Sequence, residues 1–146
     1  GCFDLLHQGH IELIKFARRQ GDLLVVAMNS DSSVRKLKGP SRPILGQEER
    51  AGVLAALGDV DYIVLFDSTE VTPVIEAVRP DVLVKGGDYR PDQVVGHEIV
   101  ESHGGKVMIA PLVKGISTTD IVERVMHRYG NRDQSGPARR AEEASQ

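Results

Sequence analysis

The stretch DLLVVAMN, residues 22–29, carries a continuous run of apolar side chains rather than an alternating pattern. Such a run is typical of a strand that is buried on both faces of a parallel sheet. Three more stretches share this character, at 62–66 (YIVLF), 81–87 (DVLVKGG) and 106–112 (KVMIAPL). If helices separate strands of this kind, they indicate an α/β fold with helices on both faces of the sheet.

Helices are predicted between and after these strands. Their start and stop signals place them at 11–20, 47–60, 71–79, 91–104 and 117–130. The polar stretch 30–43 holds Gly39, Pro40 and Pro43 and predicts a long loop. A glycine turn that opens a helix normally follows a strand, and none stands ahead of Gly1 in this sequence. We therefore expect a Rossmann-like, doubly wound parallel sheet of about five strands, with the first strand missing from this chain.

Length and composition limit the number of domains and indicate the cellular compartment. The chain has 146 residues, which suits one domain, expected at 1–130. Residues 131–146 contain no Val, Ile, Leu, Met or aromatic side chain and predict a disordered tail. A net charge of −3 does not favour nucleic-acid binding, and the apolar runs are too short to span a membrane. The single cysteine, Cys2, fits a reducing compartment, so we expect a cytoplasmic protein.

The segment GCFDLLHQGH, residues 1–10, places His7 and His10 three positions apart at a predicted helix start. The two side chains can share one face of the first turn, beside unpaired N–H groups and the positive end of the helix dipole. Gly9 lets a ligand approach closely because it has no Cβ. This set suits a phosphate that gains negative charge in a transition state. The alternative is a histidine pair that only caps the helix or fills the core.

Two other kinds of chemistry stay open for this segment. A metal site would need further ligands, and HEIVE (97–101), which imitates a zinc-binding helix, has Glu101 where the second histidine is required. Cys2 could act as a nucleophile with His7 as its base, although no third group that would orient the base is evident. The residue types favour the phosphate interpretation over both.

Further phosphate-binding candidates follow the other strands, at the sheet edge where ligands of parallel sheets bind. Lys36 and Lys38 lie on the predicted loop and could clamp phosphates as mobile cations. Lys85 and Asp88, in the stretch KGGDY, combine a cation with a carboxylate that could bind a sugar hydroxyl or cap a turn.

A second helix start lies in the stretch ISTTD, residues 116–120. Ser117 and Asp120 are spaced as a capping box. A capped helix start still presents N–H groups to an anion, so the cap does not exclude a phosphate site there.

At this point the sequence resembles a known superfamily. GCFDLLHQGH resembles the H-x-G-H segment of the nucleotidyltransferases, and GISTTDI (115–121) resembles their I-S-S/T-T segment. Residues 1–129 are most similar to one subgroup, the D-glycero-β-D-manno-heptose 1-phosphate adenylyltransferases, through the stretches 26–44, 49–57 and 80–89. The resemblance implies adenylyl transfer from ATP to this sugar 1-phosphate, giving ADP-heptose and pyrophosphate without a covalent enzyme intermediate.

The resemblance also implies roles for individual residues. His7, His10 and Lys38 are the implied catalytic residues, which bind the triphosphate and stabilise the leaving pyrophosphate. Asp88 is a candidate sugar ligand. Nucleotide or phosphate contacts are implied for Phe3, Asp4, Gly9, Lys36, Arg50, Lys85, Gly115, Ser117, Thr118 and Thr119. No side chain is assigned to a metal, and Mg²⁺ would enter with the triphosphate. A fused or separate sugar-kinase domain and a homo-oligomer are the implied partners.

Two alternative functions remain. Cytidine-using relatives commonly carry an arginine where this chain has Leu112, which disfavours a cytidylyltransferase acting on glycerol phosphate or a similar alcohol phosphate. A nucleotide-binding remnant without turnover is favoured by the missing first strand. The presence of His7, His10, Lys38 and the Ser-Thr-Thr cluster argues against it.

Overall fold

A computed structural model describes residues 1–130, which divide into two compact units, Gly1–Lys114 and the segment from Gly115 onward. The strands are β1 (Val25–Asn29), β2 (Tyr62–Phe66), β3 (Val82–Gly86) and β4 (Lys106–Ala110). The helices of the first unit are α1 (Gln8–Arg18), α2 (Asp31–Lys38), α3 (Gln47–Ala55), α4 (Thr72–Val78) and α5 (His97–Ser102). The second unit contributes α6 (Thr118–Tyr129). The α/β class and all four predicted strands are confirmed.

The strands pair in parallel, as their continuous apolar character predicts. β1 pairs with β2, from Val25 opposite Tyr62 to Asn29 opposite Phe66, and β3 pairs with β4 in the same way. Within residues 1–130 the pairs form two separate two-stranded sheets rather than one, because no described strand pairs with both β1 and β3. Gly1 lies along β1: its carbonyl accepts the Asn29 N–H at 2.9 Å, and its nitrogen lies 2.7 Å from Ala27 O. The segment 1–10 therefore starts at the carboxyl end of β1.

A small apolar core fixes α1 and α3 against the first sheet. Ile14 of α1, Met28 of β1 and Leu54 of α3 are almost fully buried and form one cluster with Val26. Phe3 and Leu6 pack against this cluster from the segment that leads into α1. The packing holds the first turn of α1, with its two histidines, beside the carboxyl end of β1.

The long loop predicted at 30–43 is wrong in its first half, where the structure has α2. Ser30 caps this helix, since its side chain accepts the Ser33 N–H at 3.2 Å. Asp31 lies in the first turn and three basic residues in the last, which suits the helix dipole. Val34 is fully buried. Serine and aspartate are common in loops because they bond to nearby backbone, and the same property makes them helix caps.

The helix predicted at 91–104 is interrupted. A short 3₁₀ turn covers Pro91–Gln93, and α5 begins only at His97. Gly96, between them, has a φ of +89°, a conformation that glycine adopts without strain, and a Cβ there would meet the side chain of Ile75. The helix predicted at 47–60 is confirmed at its start but ends early, at Ala55, and the remaining predicted helices are confirmed with shifts of up to three residues at their ends. The predicted tail, 131–146, lies outside the described residues.

Candidate active site

His7 and His10 cap the first turn of α1 for each other. His7 is the N-cap residue, and its Nδ1 accepts the Gly9 N–H at 3.1 Å. The His7 N–H donates in turn to Nδ1 of His10 at 3.2 Å. Because both Nδ1 atoms act as acceptors, the proton of each neutral ring sits on Nε2. The two histidines therefore do cap the helix, as one of the two interpretations of the sequence predicts. Capping uses only Nδ1 of each ring, and the proton lies on Nε2.

The two imidazoles form a stack. Their centroids are 3.8 Å apart with an angle of 24° between the planes, and the Phe3 ring lies 5.4 Å from His10 on a tilt. Burial is the main cause that lowers the pKa of His10 to about 4; electrostatic interactions with His7, Lys38 and the amino terminus lower it further, against a smaller opposite effect of Asp4. His10 is therefore neutral near pH 7 and acts as a hydrogen-bond donor rather than as a cation.

Asp4 bonds to the backbone of another segment of the protein, residues 44 and 45. Its side chain is almost fully buried, and its two oxygens accept the N–H groups of Ile44 at 2.8 Å and Leu45 at 3.0 Å. The Arg42 guanidinium lies 3.7 Å from the same carboxylate. The structure therefore places Asp4 as an anchor for residues 42–45, and the implied nucleotide contact stays a prediction.

Arg50 is likewise buried, with a residue exposure of 1%. Its Nη1 donates to the carbonyls of Cys2 at 2.6 Å and Asn29 at 2.8 Å, and its Nε donates to Leu45 O at 3.1 Å. Its Nη2 pairs with Asp31 at 2.8 Å. These protein acceptors occupy the guanidinium in the interior, and the implied phosphate contact of Arg50 stays a prediction.

Asp31 is the acidic partner of this buried arginine. Burial alone would raise the pKa of Asp31, but the hydrogen bonds from Arg50 and from the Gln47 backbone lower it below its ordinary value. The carboxylate is therefore ionised and pairs with the guanidinium. Neither this pair nor the partners of Asp4 were singled out from the sequence, because the residues involved are 19 and 40 or 41 positions apart.

The lysine candidates surround the start of the chain. Lys36 and Lys38 are exposed in the last turn of α2, and Lys38 is near enough to act on the pKa of His10. Lys85 is exposed at the end of β3, and both Lys38 and Lys85 act electrostatically on the Gly1 amine. The first unit thus brings Phe3, His7, His10, Lys38 and Lys85 around the start of the chain, and the phosphate roles of these residues stay a prediction.

Asp88 stands in a sharp turn after β3. Gly87 has a φ of +134°, and a Cβ there would approach the Tyr89 ring to 2.7 Å. The ammonium of Lys85 lies 5.7 Å from the centroid of that ring, while Asp88 itself is exposed. The turn therefore presents a carboxylate, an aromatic face and a cation together, and the proposed sugar contact of Asp88 stays a prediction.

The remaining candidates belong to the second unit. Ser117 caps α6: its Oγ accepts the Asp120 N–H at 3.1 Å and donates to the Asp120 carboxylate at 2.7 Å. Thr118 and Thr119 are the first residues of the helix, and Gly115 has a φ of +77°. The predicted cap by Ser117 is confirmed, but the Asp120 carboxylate accepts from the Ser117 hydroxyl rather than completing the predicted capping box. A phosphate contact of these residues stays a prediction.

Metal-binding side chains do not cluster in the described part of the chain. Between residues 1 and 130, no three His, Cys, Asp or Glu side chains are grouped so that they could hold one ion. His97 and Glu101 approach to 3.6 Å along α5. Over the same residues, no helix is both long and apolar enough to cross a membrane.

Comparison with known proteins now decides the family. The sequence model of the cytidylyltransferase-like family matches residues 1–124. The chain belongs to the cytidylyltransferase-like family. The predicted relationship to nucleotidyltransferases is confirmed, and the H-x-G-H and I-S-T-T segments both lie inside the matched range.

Among its relatives are proteins named bifunctional protein HldE. The one from Syntrophotalea carbinolica is 57% identical over 129 residues, which cover 88% of this chain and 26% of the relative. The one from Koribacter versatilis is 61% identical over 124 residues, which cover 85% and 26%. This cytidylyltransferase-like chain therefore spans about a quarter of the length of the curated relatives it matches.

A solved structure shares the fold. The lipopolysaccharide core biosynthesis protein from Thermoplasma volcanium GSS1 aligns with a TM-score of 0.63 and 30% sequence identity. The alignment covers 80% of this chain and 93% of the other. The α/β fold of this chain is therefore also seen in a solved protein.

Proposed function

We propose that this chain is an adenylyltransferase domain that converts ATP and D-glycero-β-D-manno-heptose 1-phosphate into ADP-heptose and pyrophosphate. The observation that carries the proposal is the stacked pair of His7 and His10, whose Nε2–H donors stand among the cations of the first unit. The similarity to proteins named bifunctional protein HldE supports it, as does Leu112 in place of an arginine common in cytidine-using relatives.

The reaction needs positioning and charge stabilisation rather than a nucleophilic side chain. An oxygen of the sugar phosphate attacks the α-phosphorus of ATP in line, and the bond from that phosphorus to the bridging oxygen of pyrophosphate breaks. Negative charge grows on the leaving pyrophosphate. The Nε2–H groups of His7 and His10 and the ammonium of Lys38 stabilise this charge, and Lys36 adds a second cation. Mg²⁺ enters as part of the substrate, the magnesium complex of ATP.

The wider assignments rest on the resemblance. A sugar-kinase domain, in the same polypeptide or separate, would supply the heptose 1-phosphate, and the length of the bifunctional relatives agrees with a fused domain. Phosphate contacts from Gly115, Ser117, Thr118 and Thr119 and a homo-oligomeric state belong to the proposal on the same ground. A cytoplasmic location belongs to it because the single cysteine fits a reducing compartment.

The test is pyrophosphate release with heptose 1-phosphate and each of ATP, CTP, GTP and UTP, in the presence of Mg²⁺. Release with ATP alone supports the proposal. Preference for CTP with glycerol phosphate as acceptor would make the chain a cytidylyltransferase. Binding of ATP without pyrophosphate release under all conditions would make it a nucleotide-binding module.

A further inference from the structure

The segment before the histidines has an unusual backbone. Phe3 and Leu5 both lie in the left-handed region, with φ values of +50° and +49°. Residues with a Cβ avoid this region because the side chain crowds the backbone, and they persist there only when the surroundings hold them. Asp4 lies between the two, and His7 follows two residues later. The conformation of this turn sets where the histidine pair points.

Two buried charged side chains, Asp4 within the turn and Arg50 outside it, bond the turn to the rest of the first unit. The Asp4 carboxylate accepts the N–H groups of Ile44 and Leu45, and the Arg50 guanidinium donates to the carbonyl of Cys2. Leu45 bonds to both side chains, because its N–H donates to Asp4 and its carbonyl accepts from Arg50. The strained turn is thus linked to Leu45 twice, directly through Asp4 and indirectly through Arg50.

The same arginine reaches the elements that carry the other site groups. It donates to the carbonyl of Asn29 at the end of β1 and pairs with Asp31 at the start of α2, the helix whose last turn carries Lys38. Arg50 therefore contacts the turn, β1, α2 and residue 45 at once. A lysine at this position could not reach these separated acceptors, because its single ammonium lacks the planar fork of the guanidinium.

We propose that Asp4 and Arg50 are positioning residues: they hold the strained turn at residues 2–5 so that His7 and His10 keep their stacked arrangement. Neither side chain needs to touch a substrate for this role. The kinetic part of the inference rests on the proposed function, whereas the structural part can be measured on the protein without substrate.

The variants are Asp4→Asn and Arg50→Lys. The matched controls are Asp92→Asn and Arg90→Lys, because Arg90 and Asp92 form an ion pair of 3.3 Å that is largely exposed. The first readout is the titration of the His10 imidazole by NMR. The charged groups that act on His10 are His7, Lys38, the amino terminus and Asp4.

The expected direction of the His10 shift separates positioning from simple charge removal. Loss of the Asp4 charge alone would lower the pKa of His10 further, since that carboxylate raises it. Release of the turn exposes the ring to water and raises the pKa towards its ordinary value of 6.5. We expect an increase of about one unit or more in both variants and none in the controls.

The second readout is the rate of pyrophosphate release. We expect kcat to fall about tenfold or more, with a change in KM for ATP below about threefold, because a misplaced donor weakens the transition state more than substrate binding. Folded variants in which His10 keeps or lowers its native pKa would overturn the inference. So would a kcat within about twofold of the native chain. If Arg50→Lys does not fold, Asp4→Asn decides, since it is nearly isosteric. If the native chain releases no pyrophosphate, the proposed function fails while the NMR titration still tests the positioning role.

Discussion

The His7 N–H donates to Nδ1 of His10 at 3.2 Å, while the two imidazoles stack with centroids 3.8 Å apart. One hydrogen bond therefore fixes the tautomer of His10 and the orientation of its ring at the same time. The capping bonds use Nδ1 of each ring, so the proposed phosphate-donor role would use the other nitrogen, Nε2.

Replacing His10 by alanine removes an Nε2–H donor. We expect the rate of pyrophosphate release to fall by about a hundredfold or more, the range found when one preorganised donor to a developing negative charge is lost. The lost cap costs about 1 kcal/mol of unfolding free energy, so the variant should still fold. His127→Ala is the control, because His127 is exposed on α6. A His10→Ala rate close to that of the native chain would remove the phosphate-donor role.

Stability should depend on pH through His10. Its pKa is lowered to about 4 in the folded chain from an ordinary value of 6.5, so the unfolded chain binds more protons between these values. The free energy of unfolding that comes from keeping this ring neutral is complete above pH 6.5 and is lost as the pH falls towards 4. Urea titrations across this range should show a steeper loss in the native chain than in His10→Gln. Equal slopes in the two proteins would contradict the assignment.

Arg50→Met tests the buried guanidinium directly. The substitution keeps an apolar stem of similar length but leaves the carbonyls of Cys2, Asn29 and Leu45 without this donor and Asp31 without its cation. Leaving buried carbonyls without their donor typically costs about 1–3 kcal/mol, whereas Asp31, with 28% of its side chain exposed, keeps access to water. Arg90→Met, on the surface, should stay within about 0.5 kcal/mol of the native chain. Similar unfolding midpoints for both variants in urea would show that the buried network adds little.

Ser117 can be tested for a phosphate role separately from its capping role. Ser117→Asp retains a capping side chain but adds a negative charge at the start of α6, whereas Ser117→Ala removes the cap at a cost of about 1 kcal/mol. If this helix start binds phosphates, the Kd for ATP should rise more in Ser117→Asp than in Ser117→Ala. The opposite order, measured by calorimetry, would mean that only the cap matters.

Much of the fold could be predicted from the sequence because its strands have a strong pattern. Continuous apolar runs located β1 to β4 within a few residues and indicated parallel pairing. The helix α2 was missed because Ser30 and Asp31 favour loops and helix caps equally, and its buried face is short, with Val34 at its centre.

The site was predictable where chemistry and spacing coincide. His7 and His10 lie three apart, so their mutual capping follows from local geometry. The roles of Asp4 and Arg50 depend on contacts with residues far away in the sequence, which spacing does not reveal. Charged residues are also rarely buried, so their residue types predict exposed positions. The family resemblance marked both positions, but only the three-dimensional arrangement shows that they act on the backbone.

The central claim is tested most directly by following ATP, Mg²⁺ and heptose 1-phosphate with the native chain by ³¹P NMR. The account predicts that the sugar phosphate signal disappears while a pair of coupled diphosphate signals and free pyrophosphate appear in equal amounts. Release of inorganic phosphate and ADP instead, or an unchanged sugar phosphate signal beside intact ATP, would contradict it.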